Sequence, residues 1–214
     1  TNEQDRAVVM EALQAEYTEQ IEQQDTGAGW YVEDIAEAIE VTKLIIPELS
    51  EPANRDLFLT LAALLSPQEK PLQNWEKAID AMEQFLENGV MPEKKSNNMG
   101  FGVNAKALPL LQHLIDTQGG VEAALEWIQT PHTGKELAEV RRASGLYKEG
   151  DKTRPVKDFL ASEVALGDTV LGIYMFGPKV GDFMMNSTGI DPEAVTVDLW
   201  LARTYNRHIG RLLD

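Results

Sequence analysis

Lys179 and Asp198 are two side chains that could take part in catalysis, and they lie nineteen residues apart near the end of the sequence. Gly177 permits a tight bend and Pro178 is preorganised for a first helical position, so Lys179 is predicted in the first turn of a helix reaching Ser187. The positive end of a helix dipole disfavours an ammonium and so favours the neutral, nucleophilic amine. A lysine nucleophile is the chemistry that this position in the helix suggests.

The connection after this predicted helix decides whether the two side chains can meet. A helix of about ten residues spans about 15 Å, and the eight residues 188–195 are enough to return that distance. Asp198 can therefore lie beside Lys179. It also precedes an apolar run with helical spacing that begins at Leu199, so a helix N-cap is the alternative role for this carboxylate.

Apolar residues at helical spacing dominate the chain, and no alternating run predicts a strand. The sequence therefore predicts an all-α fold, with loops at 91–102 and 145–153. The predicted helices cover about 2–23, 32–46, 51–65, 71–88, 103–117, 120–129, 133–143, 156–163, 168–175, 178–187 and 198–209.

Composition excludes several classes of site and compartment. The 214 residues contain no cysteine, which excludes an iron–sulfur cluster and a cysteine-ligated zinc. The three histidines lie far apart and predict no metal site. There is no apolar run long enough to span a membrane and no signal-peptide pattern at the start, so a soluble, cytoplasmic protein is expected.

Charge is distributed unevenly along this acidic chain, whose formal net charge is -16. Residues 1–50 hold twelve acids and two bases, whereas residues 135–157 hold seven bases and four acids. The acidity argues against a nucleic-acid partner, because phosphate contacts favour basic surfaces. The stretch 135–157 could form one basic surface, or it could be an ordinary solvated helix and loop.

The segment GPKVGDF, followed by VDLW and then by Arg203, Asn206 and Arg207, resembles the active site of the helix-hairpin-helix DNA glycosylase superfamily. The family pattern is a glycine, a variable residue, the Schiff-base lysine, a short helix, and a valine–aspartate pair that opens the next helix. The GPK and VDLW form looks like that of a divergent, phage-like member. The resemblance covers about forty residues around Lys179 and Asp198.

This resemblance implies a bifunctional DNA glycosylase and AP lyase of base excision repair, acting on double-stranded DNA with a damaged or modified base, in the cytoplasm of a bacterial or phage-infected cell. Lys179 would form the Schiff base and Asp198 would stabilise the developing charge. The implied architecture is two helical lobes around a cleft, 1–50 plus 188–214 and 51–187, with a helix-hairpin-helix motif in one unit.

The resemblance also implies DNA contacts. LLSPQEK is similar to the superfamily's LSxQ segment and makes Gln68 a contact candidate, although a polar residue in an interhelical turn is the alternative. Gly177, Pro178, Arg203 and Arg207 are the other implied contacts. The family hairpin usually reads Leu-Pro-Gly-Val-Gly, whereas this chain keeps only its second glycine. The implied cofactor is at most a monovalent cation at the hairpin.

Four aromatic side chains are candidates for stacking on an extruded base, and core packing is the alternative for each. These are Trp30, Tyr174, Phe176 and Trp200. A rival hairpin contains Gly134 and Lys135, but no valine–aspartate pair follows it at similar spacing.

Two other functions stay open at this level. One is a phage enzyme that hypermodifies DNA bases on the same glycosylase fold, with the same lysine and aspartate. The other is a catalytically silent protein whose acidic front binds a basic partner. Covalent trapping through the lysine distinguishes the enzymes from the silent protein.

Overall fold

The computed structural model describes residues 30–67, 69–97, 99–102, 106–146, 150–160, 164–188 and 190 of the chain. Most of these residues are helical, which confirms the all-α prediction at that level. The α-helices of the described part are α1 Trp30–Thr42, α2 Pro52–Leu65, α3 Pro71–Asn88, α4 Ala107–Gln118, α5 Val121–Gln129, α6 Gly134–Ala143 and α7 Pro178–Ser187. The predicted helices at 2–23 and 198–209 lie outside the described residues.

Helix boundaries follow the proline and glycine signals in the sequence. α2 and α3 both begin at a proline, whose missing N–H is not needed in the first turn. α3 ends at Gly89, which takes a left-handed conformation at φ 71° and returns its N–H to the carbonyl of Phe85. The predicted bounds of these two helices, and those of α5, α6 and α7, are confirmed to within a residue or two.

α2 is the central helix of the core. Its residues 57–65 are all buried, and it packs against α3, α4, α5 and α7. Phe58 meets Trp75 of α3 edge to face, with ring centroids 5.0 Å apart. The indole N–H of Trp75 donates to Thr42 Oγ1 at 2.9 Å and so ties the end of α1 to the same cluster. Full burial of each large apolar side chain here contributes about 1.5–3 kcal/mol.

The region before α7 differs from the sequence prediction. The expected helix over 168–175 is wrong: a strand β2, Thr169–Leu171, is followed by a 3-10 helix, Gly172–Phe176. β2 pairs antiparallel with β1, Pro131–Thr133, so the prediction of no strand is also corrected. β-branched residues and the backbone partner at 131–133, which local periodicity does not reveal, favour the strand.

Shorter helical segments replace two other predictions. The predicted helix over 156–163 is a 3-10 helix, Val156–Phe159, in its described part, and it packs on α6. Two further 3-10 helices are Pro47–Ser50 and Asp151–Thr153. Among the described residues, no helix is long and apolar enough to cross a membrane.

Candidate active site around Lys179

Lys179 is the second residue of α7, as the sequence predicts. Gly177 precedes the helix at φ 115° and ψ 152°, a backbone region that is almost exclusive to glycine, and Pro178 occupies the first helical position. Lys179 is half-buried. The chain therefore turns sharply at Gly177 and delivers a lysine to the amino-terminal end of a helix.

α7 holds this lysine against the core through its opposite face. Val180 and Met184 are buried, and the hydroxyl of Thr60 in α2 lies 3.9 Å from the sulfur of Met184. α7 also packs on α1. α7 is thus anchored by apolar burial on a central helix.

Tyr174 connects the 3-10 helix Gly172–Phe176 to α7. Its hydroxyl donates to Asp182 Oδ1 at 2.8 Å, and its ring lies so close to Gly181 that a Cβ there would be 2.9 Å from ring atoms. Asp182 follows Lys179 by three residues, which places both on one face of α7. The Tyr174 phenol and the Asp182 carboxylate are therefore in contact on a helix that also carries Lys179.

Arg141 of α6 braces the same turn from another side. Its guanidinium donates from Nη1 to the backbone carbonyl of Met175, which is buried. α6 is fixed in turn by a capping box in which Thr133 and Glu136 exchange side-chain and backbone hydrogen bonds. The backbone N–H of Thr133 donates to the Glu136 carboxylate, and so does the Thr133 hydroxyl. These two hydrogen bonds, the backbone one first, lower the pKa of the Glu136 carboxyl.

The described lysines differ sharply in their surroundings. Lys135 is also the second residue of a ten-residue helix, but its side chain is 66% exposed and lies 4.0 Å from Glu139. Lys77 is buried, but its ammonium lies 2.5 Å from a carboxylate oxygen of Glu69. Lys135 is thus a solvated residue and Lys77 part of an ion pair, whereas Lys179 is half-buried in the first turn of α7.

Several predicted site residues can be placed, and others cannot. Tyr174 and Phe176 are both half-buried in the 3-10 helix that leads into Gly177, so they lie in the same turn as the candidate lysine. Trp30 begins α1, the helix that packs on α7. The predictions that lie outside the described residues are Gln68, Asp198, Trp200, Arg203 and Arg207.

The described residues between α2 and α3 include Ser66 and Glu69. Ser66 is the C-cap of α2, and its carbonyl accepts the N–H of Glu69 at 3.1 Å. The Glu69 carboxylate then pairs with Lys77 beneath Gly102, where a Cβ would lie 2.8 Å from the lysine nitrogen. Glu69 is therefore held by a largely buried ion pair that the sequence interpretation did not identify.

The sequence interpretation also missed Asp182 and the bracing role of Arg141. Asp182 could have been found from its spacing of three residues after Lys179, because that spacing places side chains together on a helix. Arg141 gave no such signal, since it was one base in a basic stretch and its partner is a backbone carbonyl 34 residues away.

The surface near the amino-terminal end of α2 is acidic. A groove of about 510 Å³ between α2 and α5 is lined by the carboxylates of Asp56, Glu122 and Glu126, together with Gln129 and Thr130. It contains none of the predicted site residues. Within the described ranges, no three histidine or acidic side chains form a group that could hold a metal ion.

Searches against protein-family models, curated proteins and solved structures give no match to this chain.

Proposed function

We propose that this protein is a bifunctional DNA glycosylase and AP lyase that excises a damaged or modified base through a Schiff base on Lys179. The observation that carries the proposal is the half-buried position of Lys179 in the first turn of α7, directly after the glycine-specific bend at Gly177. The resemblance of GPKVGDF and VDLW to helix-hairpin-helix glycosylases supplies the reaction class.

The reaction begins with extrusion of the target nucleotide from double-stranded DNA, which costs a few kcal/mol of unstacking. The neutral amine of Lys179 attacks the sugar C1′, and the bond from C1′ to the base breaks with its electron pair leaving on the base. Opening of the sugar ring gives the imine, and loss of a C2′ proton then expels the 3′ phosphate and nicks the strand.

The aromatic side chains in the turn before Gly177 support a base-binding role for this region. Tyr174 and Phe176 are both half-buried at the edge of the core. Such rings can stack on an unpaired base, an interaction worth about 1–3 kcal/mol per base. By the family resemblance, Asp198 would stabilise the positive charge that develops on the sugar.

Covalent trapping tests this function. The protein is mixed with duplex oligonucleotides that carry an abasic site or one of a panel of modified bases, and the imine is reduced with borohydride. We expect a covalent protein–DNA product with the wild type and none with Lys179→Gln. Lys135→Gln is the matched control, because it removes a lysine from the same helical position of α6 and should trap normally.

The outcome also separates the alternatives. Trapping that requires a modified pyrimidine, without excision of damaged bases, would indicate the hypermodification enzyme. Failure of the wild type to trap on any oligonucleotide, or equal trapping by Lys179→Gln, contradicts the lyase and leaves the silent protein with a basic partner.

A further inference from the structure

We propose that α6 and the 3-10 helix Val156–Phe159 together form a phosphate-binding surface for double-stranded DNA, with Arg142 and Lys157 as its contact residues. This pair of elements is called the α6 surface below. The inference rests on the proposed function and deepens it, because it assigns the part of an acidic protein that holds the DNA backbone. Phosphate contacts supply much of the affinity of proteins for DNA.

Charge separates this part of the chain from the rest of the described protein. Residues 134–143 and 150–160 hold six bases and four acids, whereas the other described residues hold eight bases and eighteen acids. The basic excess therefore lies on these two segments. A DNA duplex is attracted to such a surface and repelled by the remainder, which favours one orientation of the protein on DNA.

The two elements of the α6 surface pack on each other. The 3-10 helix contacts α6, and Phe159 at its end is buried. α6 is held in turn at its amino-terminal end, where the N–H of Gly134 donates to the carbonyl of Asp168 at 2.8 Å. Because the backbone that carries the bases is fixed before DNA binds, less conformational entropy is lost on binding.

Ion pairs within the α6 surface distinguish its bases from one another. Two pairs offset each other, namely Lys135 with Glu139 at 4.0 Å and Arg154 with Asp158 at 3.5 Å. Arg142 and Lys157 form no ion pair with another described residue. Lys157 is exposed, and Arg142 is half-buried in the last turn of α6. These two side chains are therefore the ones assigned to phosphate.

The α6 surface adjoins the turn that carries the candidate nucleophile. Arg141, the residue before Arg142, donates a hydrogen bond to the carbonyl of Met175 in that turn. α6 also packs on the 3-10 helix Gly172–Phe176. A duplex carries one phosphate charge per about 1.7 Å of its axis. A duplex whose target nucleotide lies at Lys179 therefore also presents phosphates to the surfaces around this turn.

The test is the salt dependence of binding to two duplexes, an unmodified one and one that carries a tetrahydrofuran analogue of an abasic site. The logarithm of the association constant falls linearly with that of the NaCl concentration, with a slope of about 0.9 per phosphate contact. Arg142→Gln and Lys157→Gln should each make the slope shallower by about 0.9, and the double variant by about 1.8. Both duplexes should be weakened by the same factor, because phosphates carry no sequence information.

Two control variants separate a phosphate contact from other effects of charge. Arg55→Gln also removes one positive charge, but at the acidic end of α2, where Arg55 lies 3.1 Å from Asp56, so its slope should equal that of the wild type. Arg142→Lys keeps the charge and should keep the slope. A cation at the end of a helix also stabilises the helix dipole, so thermal unfolding of the Arg142 variants measures that structural effect separately.

Unchanged slopes in both glutamine variants, or an equal change in Arg55→Gln, would overturn the α6 surface, as would a wild type that does not bind duplex DNA. Binding and chemistry can fail separately. A wild type that shows these slope changes but is not trapped by borohydride removes the lyase and leaves the α6 surface. Normal trapping with unchanged slopes removes only this inference.

Discussion

The guanidinium of Arg141 donates a hydrogen bond to the carbonyl of Met175, two residues before the bend at Gly177. This bond joins α6 to the turn that presents Lys179 at the start of α7. The turn therefore depends on a residue that is distant in sequence.

Replacing Arg141 by methionine tests this brace. The change leaves the buried Met175 carbonyl without that donor, and we expect a loss of about 1–3 kcal/mol in the free energy of unfolding. Trapping by Lys179 should weaken in parallel. Denaturant unfolding measures the first effect. Arg154→Met is the control, because the Arg154 side chain is 53% exposed and its loss should leave stability nearly unchanged.

Gly177→Ala should damage the site through backbone conformation alone. No atom lies within 4 Å of a Cβ built on Gly177, but its φ of 115° is strained for any L side chain. We expect the free energy of unfolding to fall by about 1–3 kcal/mol and covalent trapping on DNA to become slower. Gly100→Ala is the matched control, because a Cβ built on Gly100 also has no atom within 4 Å and Gly100 has no positive φ. Equal stability of the two variants would contradict this explanation.

The capping box of α6 should make stability depend on pH. Hydrogen bonds from Thr133 lower the folded-state pKa of Glu136. The ionised carboxylate therefore stabilises the folded protein at pH values above the ordinary pKa of a glutamate. That contribution to stability is lost as the pH falls through the lowered folded-state pKa of Glu136. Glu136→Gln should thus be less stable than the wild type at neutral pH, and the difference should shrink in acid.

Thermal unfolding at several pH values measures this difference. Glu139→Gln removes a carboxylate from the same helix that has no capping role, and serves as the control. A Glu136→Gln deficit that stays constant down to strongly acidic pH would falsify the assignment.

The buried carboxylate of Asp80 should fix the loop at 91–102. It accepts the N–H of Ser96 at 3.0 Å, the hydroxyl of the same serine, and the amide of Gln84 at 3.1 Å. Asp80→Asn replaces an acceptor with a donor that faces other donors, at an expected cost of about 1–3 kcal/mol. Limited proteolysis should then cut the loop faster than in the wild type. Asp116→Asn is the control, because the Asp116 carboxylate accepts an exposed side-chain amide from Gln112 at 2.7 Å and does not contact this loop's Ser96. An unchanged cleavage rate in Asp80→Asn would contradict the anchoring role.

Helix boundaries could be predicted from the sequence because they are encoded locally. Pro52, Pro71 and Pro178 begin helices, and Gly89 ends one, through backbone properties that each residue has in any context. The prediction of Lys179 in the first turn of α7 succeeded for the same reason.

The segment 168–175 could not be predicted in this way. Its strand exists because residues 169–171 pair with 131–133, and Gly172 fits against the carbonyl of Trp127, where a Cβ would lie 2.7 Å away. Neither partner is visible in the local pattern. Spacing alone places Asp182 on the same face of α7 as Lys179, but it does not show the hydrogen bond that Asp182 accepts from the Tyr174 hydroxyl.

The antiparallel pairing of β1 with β2 has a kinetic consequence. With the bond from Arg141 to Met175, it ties the turn before Lys179 to chain that precedes it by 34 residues or more. Closing such a loop costs conformational entropy before any stabilising contact has formed, whereas each helix forms through hydrogen bonds between residues that are close in sequence. We therefore expect the turn that carries the candidate nucleophile to be among the last parts of the described fold to gain protection from hydrogen exchange during refolding.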